Sequence, residues 1–521
     1  MLRIFRLKIV FKYLFLFTFF LSSCVCRENN EKSQEKRFTF NLCEGDVPGL
    51  HPFQLQGPLH GYTIAKLLFE GLTRIGSNGK PELAGALDVE ISPCLKHFTF
   101  TLRPNYFSDG KRVTAYDYER SWKMALDPTS DCPRAELLYV LKNAYKAKKS
   151  EVALDEIGVK ALDDNTLYCE LESPAPYFLD LVSLPIFSPC HPDTVGYNPT
   201  FFNGPFIVDQ WKRGDYLSLK ANPYFWNKEN RKIDEIQILM VTDCLTAIQM
   251  FEKKQTDWIG DPLTPIVIEC LPSLKKKYAV QEREVVRPFW IFLNTQDPLL
   301  SVTRIRQALN LALDRKQISE HIFYSNIPLY QPLPTSFSLN PDKNESYSDY
   351  KQLFAEGAKE AGLELPYELV VNYFNHPPLK QFVEYLKETW ESVFPIKVTL
   401  QGTDWATFFG YMTSGNYQVG GCYISPYYND PSEPLSRLEF LTPSNFCKWM
   451  NEDYQKLLQA ARHANSLSVR NEFLRQAEGV LNRELPVIPV INLVHRFICH
   501  SNLSGYVINH CGGVDFAYAF F

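Results

Sequence analysis

The sequence predicts a mixed α/β protein of more than one domain, on three observations. Apolar runs of period two interleave along the chain with runs of period 3.6, so strands and helices alternate instead of segregating. The chain has 521 residues, whereas a single hydrophobic core stops growing near about 250–300, so two or three domains are expected. No repeat of fixed period and no low-complexity block interrupts the pattern, and a hydrophobic content of 45% with 14% aromatics suits packed cores.

The amino-terminal element is a leader. Arg3, Arg6, Lys8 and Lys12 precede a nine-residue apolar core, Tyr13 to Leu21. A spanning helix needs about 20 apolar residues, so this core is too short to cross a bilayer and fits a cleaved export signal. Its last four letters, Leu21-Ser22-Ser23-Cys24, resemble the bacterial lipobox, whose cysteine receives a diacylglycerol after the cut. Residues 1–23 are then the signal and Cys24 the lipid attachment point; the alternative is an ordinary signal with an incidental cysteine. Cutting there leaves 498 residues and takes the formal charge from −5 to −9, which disfavours a nucleic-acid surface. The stretch 25–37, VCRENNEKSQEKR, has no packing face and reads as a flexible tether.

Order is expected from Phe38, where FTFNL alternates as a strand. HFTFTLR (97–103) places Phe98, Phe100 and Leu102 on one face, and DYLSLKA and IDEIQILMV, near 215–241, alternate likewise. The run 301–313 carries Val302, Ile305, Leu309, Ala312 and Leu313 at helical spacing, with Ser301 as the expected cap. Leu379, Phe382, Val383, Leu386 and Trp390 predict a helix over 379–393, followed by a strand at KVTLQ (397–401). A helix pair over 452–484 and a buried strand, VIPVINLV (487–494), complete the pattern.

Chemical signatures are sparse. HExxH, GxSxG, GxxxxGK[ST] and GxGxxG are all lacking, so no local catalytic or phosphate-binding motif points to an enzyme. His495, His500, His510 and Cys511 are spaced too irregularly to enforce a metal site, and neither metal nor cofactor is expected. Asp163-Asp164 in ALDDNTL reads as turn chemistry. Besides Cys24 twelve cysteines remain, without a CxxC pair; Cys422 with Cys447, or Cys499 with Cys511, are candidate bridges, and buried free thiols the alternative.

One stretch is far more specific. FTFTLRPNYFSDGKRVTAYDYERSWKMALDP, 98–128, joins a strand, a tight turn at Asp109-Gly110 and a helix opened by Thr114, with Tyr118, Trp122 and Leu126 on its core face. It resembles the signature region of the solute-binding proteins of peptide and nickel ABC importers, family 5 of the extracellular solute-binding proteins. The resemblance continues through KLLFEGL (66–72), GKPELAG (79–85), NGPFIVDQWKRGDYLSLKANPYFWN (203–227), IRQALNLALDRKQI (305–318) and YYNDP (427–431), and is strongest to the oligopeptide-binding members. It implies a two-lobed periplasmic binding protein fold, type II-like, with an extra subdomain inserted in lobe one. The implied boundaries are 38–80, 198–286 and 488–521 for lobe one, 81–197 for the insertion and 287–487 for lobe two. It further implies a monomer, anchored as a lipoprotein in the periplasm, that delivers oligopeptides or cell-wall peptides to an ABC permease. A receptor for a non-peptide anionic solute, a lipid-anchored hydrolase and a surface adhesin are the rival readings.

The resemblance also nominates ligand contacts. Oligopeptide receptors hold the ligand's terminal ammonium with an aspartate just before the Tyr-Asn-acid-Pro sequence; here Tyr427 takes that position, and a neutral phenol gives up the charge-assisted contact. Arg134 stands where the family has a tyrosine after the signature helix. Both changes favour a carboxylate or phosphate over an ammonium, unless Asp430, Glu433 or Asp404 supplies the missing charge or Arg134 points to solvent. Trp405 matches a residue that packs along the ligand, Leu59 lies in a loop near the first ligand residues, and Asn429 and Asp430 belong to the ligand-facing loop.

Overall fold

The FTFNL strand runs Arg37–Asn41 and stands inside a large sheet because both its neighbours reach it as parallel strands, Glu235–Leu239 on one side and Trp258–Gly260 on the other. The computed structural model describes residues 36–56, 59–324, 326–340, 349–440 and 442–521. The leader, Cys24 and all but the end of the tether lie outside the described residues. Among the described residues no helix is long and apolar enough to cross a membrane.

The sheet continues through both lobes in the order Ile396–Thr403, Tyr367–Phe374, Val419–Tyr423, Gln281–Leu293, Val487–Cys499, Trp258–Gly260, Arg37–Asn41, Glu235–Leu239, Tyr216–Ala221, Phe206–Lys212. Alternating residues of its first-lobe strands, Phe38, Phe40, Leu217, Leu219, Ile236 and Ile238, are fully buried in one core with Trp258 and Phe516. In the second lobe Phe289, Ile305, Leu309, Phe382 and Trp390 form one core, and Trp290, Phe408, Trp449 and Tyr454 another on the opposite side.

Gln281–Leu293 and Val487–Cys499, each 13 residues long, are the antiparallel pair that passes from lobe to lobe. One end of Val487–Cys499 pairs with Trp258–Gly260, and the far end of Gln281–Leu293 pairs with Val419–Tyr423. The register slips between Glu284 and Pro288, where Pro288 has no amide to donate. There Val286 N–H donates instead to His510 O at 2.8 Å and Arg287 N–H to Asn492 Oδ1 at 3.0 Å. A slip of this kind bends the strand and loosens its ladder.

A separate four-stranded antiparallel sheet, Ala86–Ile91, His97–Leu102, Thr166–Glu170 and Val159–Asp163, forms a subdomain around Phe98, Phe100, Tyr118, Trp122 and Phe187. Its signature helix spans Ala115–Leu126, opened at Thr114, whose N–H and hydroxyl both donate to the Asp117 carboxylate at 2.8 and 3.0 Å. The preceding turn needs Gly110, whose φ is +89°. Asp163 likewise accepts from Asn165 N–H at 2.7 Å, shaping the hairpin between the last two strands.

The expected elements over 97–103, 215–241, 379–393, 397–401, 452–484 and 487–494 all form. The start of the 301–313 helix differs. The helix is Thr303–Leu311 and its cap is Val302, not Ser301. The nearby Asp297 takes over the local hydrogen bonding, accepting from Leu299 and Leu300 N–H at 2.9 and 3.0 Å, and Ser301 N–H donates to Asp297 O at 2.8 Å in the resulting turn. Neither candidate bridge forms: all eleven described cysteines are free thiols. Cys447 Sγ donates to Pro486 O at 3.1 Å and Cys511 Sγ approaches Asn509 Oδ1 at 3.3 Å, so each thiol has a polar partner other than its expected cysteine.

Candidate functional site

Three parallel strands of the second lobe, Tyr367–Phe374, Ile396–Thr403 and Val419–Tyr423, end on one edge of the sheet. In open α/β sheets ligands bind beyond the carboxyl ends of such strands. Two of the loops leaving this edge carry sequence candidates: Trp405 follows Thr403, and Tyr427 follows Tyr423.

Trp405 is the first residue of the helix Trp405–Ser414, capped by Asp404, which accepts from Thr407 N–H at 3.0 Å. Its ring is 52% exposed, so it is not a core residue. It stacks on Phe409 at 5.6 Å and meets Phe374 edge-on at 5.0 Å, giving an aromatic platform backed by the buried Phe408. Such a surface suits apolar side chains or the flat face of a peptide bond.

The loop from Ile424 to Pro431 is fixed at both ends. His510 Nε2 donates to Pro426 O at 3.1 Å, and Ser432 N–H donates to Asp430 Oδ1 at 2.9 Å as the next helix begins. Between these anchors the two tyrosines reach across to the inserted subdomain. The Tyr428 ring lies flat on Tyr177, with centroids 4.1 Å apart and planes at 13°. The Tyr427 ring has the Arg134 guanidinium 5.7 Å from its centroid and that of Arg437 at 5.3 Å. Burial pushes the Tyr427 phenol up, against the pull of the two arginines, so it stays neutral.

Each carboxylate that stood in reserve for an ammonium is committed elsewhere. Asp430 takes both arms of Arg470, at 2.6 and 3.1 Å. Glu433 accepts from Arg437 at 2.6 and 3.1 Å and from Tyr427 N–H at 3.3 Å. Asp404 is spent on its helix cap. Arg134 is half-exposed, and its ion pair with the exposed Glu136 is 3.6 Å long, a contact of little energetic weight.

Tyr427 and Arg134 are thus brought together, and Asp430 lies beside them as a structural anchor. Asn429 is exposed at the loop tip. Leu59 is not in a loop: it is the half-buried first residue of the helix Leu59–Leu68. Four contributors were missed in the sequence. Arg437 could have been found from its i,i+4 spacing to Glu433, but Tyr177, Asp180 and Arg470 join the site from distant segments with no local signal.

Asp180 is three residues beyond Tyr177, and its buried Oδ1 has no hydrogen-bond partner. Burial, and then the Asp430 carboxylate on the opposite lobe, push it up from 3.8 to about 6. A carboxyl raised on folding contributes stability that is complete below its unfolded pKa and lost as pH rises through the folded one. Asp180→Asn is therefore expected to stabilise the fold at pH 7 by about 1–2 kcal/mol after allowance for its partial exposure, read as a higher thermal midpoint. The gain should shrink below pH 6 and vanish by about pH 4; a gain that persists at pH 4 would show that charge is not its cause.

A cavity of about 1000 Å³ beside Tyr116, Arg120, Lys160 and Tyr197 is lined by none of the residues nominated above. Of the nominated side chains, the seam between the subdomain and the second lobe brings together Tyr427 and Arg134, with Asp430 in the same loop as Tyr427.

Comparison with known proteins gives a consistent picture. Residues 80–446 match the family model described as bacterial extracellular solute-binding proteins, family 5 Middle. The oligopeptide-binding protein OppA of Bacillus subtilis (strain 168) is 29% identical, over 97% of this chain and 98% of that protein. The probable deoxycholate-binding periplasmic protein YgiS of Escherichia coli (strain K12) is 26% identical over 81% of this chain and 82% of that protein. Among solved structures, Haemophilus influenzae OppA in complex with RPPGFSPFR superposes with a TM-score of 0.80 at 21% identity, covering 94% of this chain and 99% of that one. The murein tripeptide binding protein MppA of Escherichia coli also gives 0.80, at 22% identity over 94% and 99% of the two chains.

Proposed function

The chain belongs to the bacterial extracellular solute-binding proteins, family 5, and from that membership we propose that it captures peptides lacking a free amino terminus, or peptide-like anions, between its lobes. It would hand them, chemically unchanged, to an ABC permease. The relatives named for oligopeptide and murein peptide binding support the peptide class. The observation that carries the ligand preference is the Tyr427 ring flanked by Arg134 and Arg437, with Asp404, Asp430 and Glu433 each already engaged. A ligand ammonium there meets no uncommitted carboxylate among these, whereas an anionic end meets Arg134.

The same reading gives the chain its setting. Residues 1–23 are removed, Cys24 carries the lipid, and the tether holds a monomeric receptor at a bacterial membrane in the periplasm. Two acyl chains hold firmly where one is marginal. Lobe one comprises 38–80, 198–286 and 488–521, the inserted subdomain 81–197 and lobe two 287–487, and the bulged crossover at 284–288 is the pivot.

Calorimetric titration tests the preference with one peptide in two forms, free-amine and N-succinylated. The succinylated form should bind more tightly, and Arg134→Ala should weaken it by more than tenfold, about 1.4 kcal/mol. Tighter binding of the free amine, with Arg134→Ala silent, would return the chain to the ordinary oligopeptide receptors.

A further inference from the structure

We propose that Cys43 and Cys244 are an oxidation site, two thiols placed to close a disulfide when the chain meets a disulfide-class oxidant. Cys43 lies two residues beyond the first strand, and Cys244 is the first residue of the helix Cys244–Glu252. The two segments are fastened side by side just before these positions. Leu42 N–H donates to Leu239 O at 2.8 Å, and the Asn41 amide both donates to Val241 O at 2.8 Å and accepts from Val241 N–H at 2.7 Å. Past these fixed rungs the two cysteines are neighbours, near enough that Cys244 is, after burial, the strongest influence on the Cys43 thiol. Both are half-buried, so an oxidant can approach, whereas Cys132, Cys169, Cys190, Cys422, Cys447 and Cys511 are buried.

The chemistry is thiol–disulfide exchange. Burial, and then the neighbouring Cys244, push the Cys43 thiol up to about 12, so Cys244 reacts first. Its thiolate attacks one sulfur of oxidised glutathione and releases one glutathione thiolate. Cys43 then gives its proton to water and attacks the Cys244 sulfur of the mixed disulfide, releasing the second glutathione. Two protein thiols have lost two electrons and two protons, and the external disulfide has gained them. The loop closed between the two cysteines holds about 200 residues, including the whole inserted subdomain, and a crosslink over so long a loop takes freedom mainly from the unfolded chain. The bond would tie the strand nearest the tether to the segment that returns to the first lobe.

The experiment uses the full chain, reduced, exposed to oxidised glutathione, alkylated and digested for mass spectrometry. The expected product is one peptide pair joining Cys43 to Cys244, which separates on reduction and is lost in Cys43→Ser and in Cys244→Ser. Reduction should also lower the thermal midpoint by at least about 2 °C in the oxidised wild type but not in either variant. Recovery of both cysteines alkylated, as separate glutathione adducts, or joined to other partners would overturn the proposal.

Discussion

Replacing Arg74 by methionine is expected to destabilise the folded chain by about 3–5 kcal/mol, measured as a fall in denaturant midpoint at constant slope. Arg74 is buried in the short strand Thr73–Ile75. Its Nε donates to Glu70 Oε1 at 3.0 Å and its Nη2 to Lys66 O at 2.9 Å, while Nη1 reaches the Asp515 carboxylate near the end of the chain. Burial opposes the guanidinium's charge, but Asp515 and Glu70 more than offset it and hold its pKa above the ordinary range. Methionine fills the volume and leaves two buried carboxylates without that cation. Lys66 answers them only in part: burial, and then Arg74, push its ammonium down to about 8, and it donates to Ser183 O at 3.1 Å. Adding Glu70→Gln and Asp515→Asn should recover much of the loss, because the neutral set no longer carries stranded charge. A loss below about 1 kcal/mol for Arg74→Met alone would mean that these carboxyls take up protons at little cost.

Tyr427→Asp should reverse the ligand preference. A carboxylate between Arg134 and Arg437 neutralises the positive charge that disfavours a ligand ammonium and takes from an anionic ligand its charge-assisted partner, a contact worth about 1.5–3 kcal/mol. Free-amine peptides should gain roughly ten- to hundredfold in affinity and N-succinyl peptides should lose. Tyr427→Asn removes the same ring without adding charge, so it separates the electrostatic effect from the space left behind. Equal effects of the two substitutions on both ligands would show that the ring's volume, not its neutrality, sets the preference.

Much of this architecture was legible in the chain because its cues are local. The alternation in HFTFTLR and the helical spacing of Leu379, Phe382, Val383, Leu386 and Trp390 state which faces are buried, and those faces are buried. The miss at Ser301 was local too: Asp297, four residues earlier, organises the turn and leaves Val302 at the cap.

What the sequence determined by itself, therefore, was the class of fold and the strand and helix faces. Only the tertiary structure decided which charges surround Tyr427. Whether Asp430 or Glu433 remained open to a ligand depended on Arg470 and Arg437. Whether Arg134 met Tyr427 depended on the inserted subdomain closing on the second lobe through Tyr177 and Tyr428. Periodicity encodes which side of an element is buried, but the pairing of charges across a seam is a property of distances between segments far apart in the chain.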